Sequence, residues 1–496
     1  MCTVVIQNGS LRIEAEAKAG QTIESLLQRF VPEFAFPCGG NHTCGKCLVT
    51  VTGAVSPVTE EEQALLPENA PQNARLACIC RIMGDAAVEL PSGRAAAVLS
   101  RYRLPDFLPD KKGYGFAVDI GTTTVVVQLI RRRDARVMAE RMAPNVQRAF
   151  GADVISRIEA CRNLGVEELS CRIVRQIEEM AAQCLRESGI AEITESVVTG
   201  NTTMLHIFEG LDPCPLAVAP FTVQSRFGQY SRRKLCGAPV YLPRCVGAYV
   251  GADIVCAACA ADMKSGKTHL LADIGTNGEI MLLHEGRLTC CATAAGPAFE
   301  GAGLSCGMPA ASGAIRSVYS ADGRICFDTV DGEAAIGICG SGILDALAVL
   351  LHRGIMEESG YMEDTFTFPG CDVRITREDV RQLQLAKAAV CAGICTLLEE
   401  NGLSSSEVEV FSLAGGFGGS IAPASAVSVG LVPGGVKDKI DFLGNAALGG
   451  AVLLLCASER RRDAFRLAEE AQELSLSVSG LFMERYIDCM SFAVVP

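Results

Sequence analysis

Tryptophan is absent from the 496 residues, and phenylalanine and tyrosine bring the aromatic share to only 5%. Nowhere does the chain string together the roughly twenty apolar residues that a membrane-spanning helix requires. The longest apolar stretch, around Ala446 to Ala457, stops well short of that. Met1-Cys2-Thr3-Val4 lacks both a basic n-region and an apolar h-region, so no secretory leader is expected and the chain reads as cytoplasmic. Positive charge is scarce as well: 44 Lys and Arg face 57 Asp and Glu, a net charge of −13. Binding to nucleic acid needs a basic face to neutralise phosphates, and that partner class is excluded. The two short basic clusters, Arg131-Arg132-Arg133 and Arg460-Arg461-Arg462, are expected to be solvated hairpin or helix ends.

What the chain has in quantity is small and apolar. Hydrophobic residues make up 49%, with fifty glycines and twenty-four cysteines. That is the composition of a well-packed protein, and the length suggests about three domains. Without a leader the cysteines are expected to be thiols rather than disulfides. Most, including Cys256, Cys259, Cys391 and Cys395, sit among small apolar residues and read as buried small hydrophobes.

Four cysteines differ. Cys38, Cys44 and Cys47 are spaced C-x5-C-x2-C, with Cys78 far downstream. This approximates the plant-type [2Fe–2S] ferredoxin pattern C-x4-C-x2-C…C, one residue longer in the first gap. These four are the expected cluster ligands; Cys80, two residues beyond Cys78 in Arg75-Leu76-Ala77-Cys78, is the competing fourth. Around them, alternating strands flank a turn at Asn8-Gly9, and Thr22 caps an amphipathic helix through Phe30. Residues 1–92 are thus expected to be a β-grasp, ferredoxin-like domain. Residues 93–114, with Pro105, Pro109 and Gly113 and no periodicity, read as a linker that tethers it.

Beyond residue 114 strands and helices alternate, and one phrase occurs twice. Asp119-Ile120-Gly121-Thr122-Thr123 ends one apolar strand, and Asp273-Ile274-Gly275-Thr276-Asn277 ends another. A repeated strand–turn–strand implies two similar lobes, here residues 115–265 and 266–496. In each turn the backbone N–H groups and hydroxyls can face phosphate oxygens, and Asp119 and Asp273 can hold Mg²⁺ or orient a nucleophile. Glu300, in Gly296-Pro297-Ala298-Phe299-Glu300-Gly301, is a further candidate for positioning metal or water. Lys387 lies on a helix that could reach the nucleotide or simply snorkel. His206 is read as a satisfied turn residue rather than a ligand.

Three more segments follow in order: Val246 to Asp253, Leu413-Ala414-Gly415-Gly416-Phe417, and Gly444-Asn445-Ala446 to Ala451. With the two hairpins they resemble the phosphate, connecting and adenosine elements of the actin, sugar kinase and heat-shock-70 ATPase superfamily. That resemblance implies two ribonuclease-H-like α/β lobes closing on Mg·ATP, with Gly415 and Gly416 beside the adenosine and small residues allowing close helix crossing at the hinge. Val198-Thr199-Gly200-Asn201-Thr202-Thr203-Met204, the Gly296 to Gly301 phrase and Cys339-Gly340-Ser341-Gly342 add a narrower likeness. Together with the N-terminal cluster domain, they resemble the ATP-dependent reductive activators of corrinoid proteins. The resemblance implies Co(II)-to-Co(I) reactivation of a corrinoid methyl-carrier protein, with the electron passing through the [2Fe–2S] cluster. It also implies an upstream low-potential donor, a ferredoxin or flavoprotein, and leaves open a homodimer. A redox-regulated small-molecule kinase, an ATP-driven donor to another metalloenzyme and a nucleotide-dependent binding module are the alternatives.

Overall fold

The computed structural model describes residues 2–8, 11–31, 34, 36, 40, 42, 45, 47–66, 70–71, 73–90, 101–263, 266–415 and 421–495. Cys38, Cys44 and Gly416 lie outside the described residues.

Alternation of apolar residues along β1 (Cys2–Asn8) and β2 (Leu11–Ala17) pairs them as an antiparallel hairpin, Asn8 opposite Leu11. Asn8 is thus still paired within the hairpin, and Gly9 of the expected Asn8-Gly9 turn lies outside the described residues. Helix α1 (Ile23–Phe30) begins where Thr22 accepts the Ser25 N–H at 3.3 Å, and buries Ile23, Leu26 and Leu27. Next come β3 (Leu48–Val55), α2 (Glu60–Leu65), β4 (Ala74–Leu76) and β5 (Ile82–Glu89), giving a sheet ordered β2-β1-β5-β3-β4 with β1 and β5 parallel. A mixed sheet crossed by one helix is the expected β-grasp.

The first lobe contains β6 (Tyr114–Ile120), β7 (Thr124–Arg131), β8 (Arg136–Pro144), α3 (Val154–Leu164), α4 (Val166–Ser188) and β9 (Glu195–Gly200). It continues through α5 (Thr202–Glu209), β10 (Gln229–Leu235), β11 (Ala238–Leu242) and α6 (Ala252–Ala260). The second opens with β12 (His269–Ile274), β13 (Gly278–His284) and β14 (Arg287–Thr293). A small sheet of β15 (Ala314–Ala321), β16 (Arg324–Thr329) and β17 (Gly337–Ile338) follows, then α7 (Gly340–His352) and a ribbon of β18 (Phe366–Thr367) and β19 (Arg374–Ile375). Helix α8 (Arg377–Glu400), β20 (Val410–Ala414), α9 (Pro423–Ser428), β21 (Ile440–Gly444), α10 (Ala446–Cys456), α11 (Ser458–Glu470), β22 (Gln472–Glu473) and α12 (Gly480–Asp488) complete it.

The two main sheets are ordered β10-β11-β9-β6-β7-β8 and β21-β20-β12-β13-β14-β22. In both, an antiparallel meander of three strands (β6 to β8, β12 to β14) is extended from its first strand by two parallel ones. This is the ribonuclease-H-like topology, twice.

Between the sheets lie α6 and α10, whose composition is almost wholly Ala, Gly, Cys and aliphatic. A Cβ on Gly450 would be driven into the backbone carbonyl of Cys256, so only glycine permits this crossing. Gly450→Val is expected to cost about 1–3 kcal/mol of stability through overpacking, read as a lowered denaturation midpoint.

Two expectations change here. First, residues 101–112 are not a free linker. The Asn445 N–H donates to Arg101 O (3.0 Å), Arg103 N–H to Leu443 O (3.2 Å), and Asp110 N–H to Cys456 O (3.1 Å). Tyr102 lies against Gly449 and donates its hydroxyl to Gln128 Oε1 at 2.7 Å, while Leu104 and Phe107 join the interlobe core. Tyr102, Leu104 and Phe107 need a surface, and the edge of β21 and α10 provides it, while Leu108 stays exposed. Second, the basic clusters are not merely solvated ends. Arg132 and Arg461 converge on Glu195 at 2.6 and 2.8 Å, and the Arg461 guanidinium stacks 4.2 Å from the Tyr241 ring centre. Burial pushes Glu195 up, but hydrogen bonds from Arg461 and Tyr230 and the nearby guanidinium charges hold it below the usual carboxylate range. Arg461 thus ties α11 to the first lobe, and Arg132, donating from Nε to Leu455 O at 2.9 Å, ties the first lobe to α10.

Candidate functional site

Strands β6 and β12 end in the two repeated turns, which brings Asp119 and Asp273 into one buried cleft. Asp253, on the first turn of α6, and Glu279, opposite Asp273 in the β12–β13 register, join them. Burial pushes Asp273 up to about 8, with Asp253, Asp119 and Glu300 adding repulsion. Asp119 is pushed up to about 7 by burial; the Asn445 side-chain amide, donating at 3.0 Å, opposes this and Asp253 reinforces it. Burial raises Asp253 to about 6, and raises Glu279 further, with Asp253 as its closest like charge. The Gly251 N–H steadies Glu279 Oε1 at 2.9 Å. These carboxylates repel one another with no arginine or lysine paired to them among the described residues. An all-oxygen donor set of that kind suits a hard divalent cation.

Glu300 spans the two hairpins. Its Oε2 accepts from Thr123 Oγ1 at 2.6 Å and its Oε1 from Thr276 Oγ1 at 3.2 Å. A single carboxylate thus bridges both turns, more tightly on the side of the first. Glu300→Gln is expected to lower steady-state ATPase by about 10²-fold, the low end for loss of a positioned base. Nucleotide affinity, measured by titration, should stay within a few-fold.

The first turn is stiffened from behind. Asn145 donates from Nδ2 to Gly121 O (2.8 Å) and from its N–H to Thr123 O (2.9 Å). Asn201 Nδ2 reaches Thr122 Oγ1 at 3.2 Å, and the wholly buried Arg157 holds the Thr122 carbonyl. In the second turn Gly275 N–H closes on Asn277 O at 3.0 Å, and Gly296 N–H on Thr276 O at 2.9 Å. Gly415 lies at φ +117°, and a Cβ there would meet the Ile274 carbonyl and Asp273 Oδ1, so the backbone can approach only because the side chain is missing.

Lys387 is not brought to this cleft. It is 1% exposed, its ammonium donates to Ser491 O, and it lies 5.0 Å above the Phe492 ring. The phase of α8 turns this residue toward the C-terminal segment. His206 sits on α5 rather than in a turn, with Nδ1 2.7 Å from Thr202 O and its ring against Phe227. Asn445, Asn201, Asn145, Asp253, Glu279 and Arg157 were not singled out from sequence. The doubled asparagine N-caps after glycine, Gly200-Asn201 and Gly444-Asn445, were the signal available.

In the N-terminal domain, Cys47 Sγ and Cys78 Sγ lie 3.3 Å apart, and the Cys78 N–H points at Cys47 Sγ from 3.5 Å. The strand before Cys78 is fixed by a buried bidentate pair: Arg75 Nε and Nη2 donate to Glu62 at 2.9 and 2.7 Å, and Leu76 N–H donates to the same carboxylate at 2.8 Å. Cys80 faces this pair instead, and burial pushes its thiol up to about 11. Two sulfurs converging under a backbone N–H fit an iron–sulfur ligand set, with Cys78 rather than Cys80 aimed at Cys47.

The two sites are physically joined. Phe36 N–H donates to Arg148 O (3.2 Å), Gln28 Nε2 to Ala149 O (3.2 Å), and Arg172 Nη1 to Gln28 O (2.7 Å). The short helical turn Val146–Ala149 that receives the first two of these bonds starts at Asn145, the residue bracing the first hairpin. The Arg148 guanidinium, largely buried, has Glu300 as its favourable charge.

Comparison with known proteins agrees with this architecture. Residues 5–83 match the 2Fe-2S iron-sulfur cluster binding domain, 114–266 the RACo middle region, and 267–495 the C-terminal ASKHA domain of RACo. The chain is 33% identical to the corrinoid activation enzyme RamQ of Eubacterium limosum over 438 residues, 79% of this chain and 73% of that one. It is 25% identical to the Co(II) methylated amine-specific corrinoid protein reductase of Methanosarcina barkeri over 420 residues, 76% and 77% of the two chains. A solved structure of a reductive activator for corrinoid, iron-sulfur protein superposes with a TM-score of 0.70 at 27% identity, covering 100% of this chain and 99% of that one. A cluster domain docked on a two-lobed ATPase, matched along almost its whole length, places the chain in the RACo family of reductive activators of corrinoid proteins.

Proposed function

We propose that this protein hydrolyses ATP to drive the return of an oxidised corrinoid methyl-carrier protein from Co(II) to Co(I). The observation that carries the reading is the direct docking of the Cys47–Cys78 domain onto the segment that braces the nucleotide hairpin. A [2Fe–2S] cluster held by Cys47, Cys78 and the flanking loop cysteines Cys38 and Cys44 would supply the single electron. The turns at Gly121–Thr123 and Gly275–Asn277 would take the phosphates, and Asp119, Asp253, Asp273 and Glu279 would hold Mg²⁺, relieving their mutual repulsion. Glu300 orients water, and Gly415 leaves a flat backbone for the adenosine.

The energetics set what ATP must do. A one-electron deficit of about 120 mV is two factors of ten at about 59 mV each, or about 2.8 kcal/mol. Nucleotide can offset this only through a two-state element whose states bind the corrinoid protein differently. Lobe closure about the α6–α10 crossing is that element. The electron donor is a low-potential ferredoxin or flavoprotein, and the setting is the cytoplasm; among the described residues no helix is long and apolar enough to cross a membrane. A pair of these chains would add a second cluster domain beside each cleft.

The test is anaerobic. Reduced, cluster-loaded protein is mixed with a Co(II) corrinoid protein, with and without Mg·ATP, and cobalt is followed by absorbance. Co(I) formed only with ATP is the expected result. Full Co(I) without ATP would overturn the coupling, and a phosphorylated small molecule in place of reduced cobalt would favour a kinase.

A further inference from the structure

Lys387, Cys391 and Cys395 follow one another at four-residue spacing on α8 and share a face. That face meets α12 and the C-terminal segment, where Cys489 closes the end of α12. One sulfur from each of Cys391, Cys395 and Cys489 lies within 4.8 Å of the other two. The surroundings are apolar: Ala388, Ala392, Phe482, Tyr486 and Met490. Cysteine used as a small hydrophobe has no need to aim its sulfur anywhere. Three sulfurs this close together can reach a single metal ion, whereas a disulfide would use two and strand the third.

Lys387 is a second, independent observation. A buried ammonium demands a counter-charge, yet its described partners are a carbonyl and an aromatic ring. Cys391 lies one helical turn further along the same face of α8, so the ammonium stands beside the sulfur cluster.

We propose that Cys391, Cys395 and Cys489 form a binding site for a thiophilic divalent ion, Zn²⁺, separate from both the nucleotide cleft and the iron–sulfur domain. Zinc–sulfur bonds of about 2.3 Å in tetrahedral geometry put sulfurs about 3.8 Å apart, inside the 4.8 Å envelope. Binding releases the three thiol protons to solvent. Three thiolates and a divalent cation leave one negative charge, which the Lys387 ammonium neutralises. Cys395 keeps 8% of its surface exposed, so the entry path and a fourth, water-filled position lie on its side. The site clasps the C-terminus to α8: Gln384 Nε2 already donates to Met490 O at 2.7 Å, and Gly434 N–H to Val495 O at 2.8 Å. Val390 and Gly393, either side of Cys391 on α8, pack against Gly278 and Thr293, beneath the second hairpin.

The measurement is zinc content and zinc K-edge absorption on the full-length, iron-loaded, anaerobically reduced protein, loaded with Zn²⁺ and washed with a weak chelator. The edge is element-specific, so the iron cluster does not interfere. About one zinc per chain with three sulfurs at about 2.3 Å is expected, falling at least about tenfold in Cys391→Ser/Cys489→Ser while iron is retained. If that variant misfolds, as read by loss of the cluster absorbance, Cys395→Ala serves instead, with the sulfur number dropping from three to two. Negligible zinc in the parent protein, zinc unchanged in a folded variant, or a disulfide among the three in the reduced preparation would each overturn the proposal.

Discussion

Asp273→Asn is expected to lower ATPase, and with it ATP-driven Co(I) formation, by about 10²–10³-fold, while making the nucleotide-free protein more stable. The activity loss follows from removing one of the carboxylates that would hold Mg²⁺ against the phosphates. The gain in stability follows from burial. Asp273 is pushed up to about 8 in the folded protein, against about 3.9 when unfolded. A carboxyl raised in this way contributes stability that is fully present below about pH 4 and lost as pH climbs through about 8. The apo protein should therefore weaken steadily across that window. Asparagine removes the ionisation and flattens the slope; Asp119, raised to about 7, keeps the slope from vanishing. Thermal denaturation of both proteins from pH 4.5 to 8, with and without Mg·ADP, checks this. A parent protein insensitive to pH, or stabilised by rising pH, would contradict the buried-acid account, as would a variant that kept full ATPase.

Cys78→Ala is expected to abolish the iron–sulfur chromophore, and Cys80→Ala to leave it intact. The separation rests on direction: Cys78 meets Cys47 at 3.3 Å, whereas Cys80 lies against Arg75 and Glu62. Iron content per chain and visible absorbance decide the matter. In Cys78→Ala, ATP hydrolysis should persist while cobalt reduction falls to background, since the cleft residues are untouched. An intact cluster in that variant, or its loss in Cys80→Ala, would move the fourth ligand to Cys80.

The two aspartates were legible because one phrase occurs twice in phase with the same strand pattern. Glu279 was invisible for the opposite reason: a single glutamate at the head of the apolar strand β13 looks like its solvated end until the register with Asp273 is known. The asparagines that brace the site, Asn145, Asn201 and Asn445, announce themselves in sequence only as caps. Their second hydrogen bonds reach 24, 79 and 326 residues away. Lys387 shows how helix phase misleads; α8 is long and buried on more than one face, and the neighbour of each face is a tertiary fact. Arg132 and Arg461 teach the same lesson for charge, since Glu195, which draws both inward, is remote from each in sequence.

The strap from Arg101 to Asp110 also sets a leash. Arg101 is hydrogen-bonded to the residue that caps α10 and touches Asp119, so the chain leaving the cluster domain is anchored at the cleft itself. Only residues 91–100 lie between that anchor and Leu90, whose N–H still bonds to Gln7 O in the domain's sheet, a reach of about 40 Å even when fully extended. A cluster domain released from Arg148 and Ala149 could swing within that radius and no farther. Electron delivery is thereby geographically confined: a corrinoid bound beyond the leash is unreachable, and one bound within it meets the cluster at an effective concentration fixed by the length of ten residues.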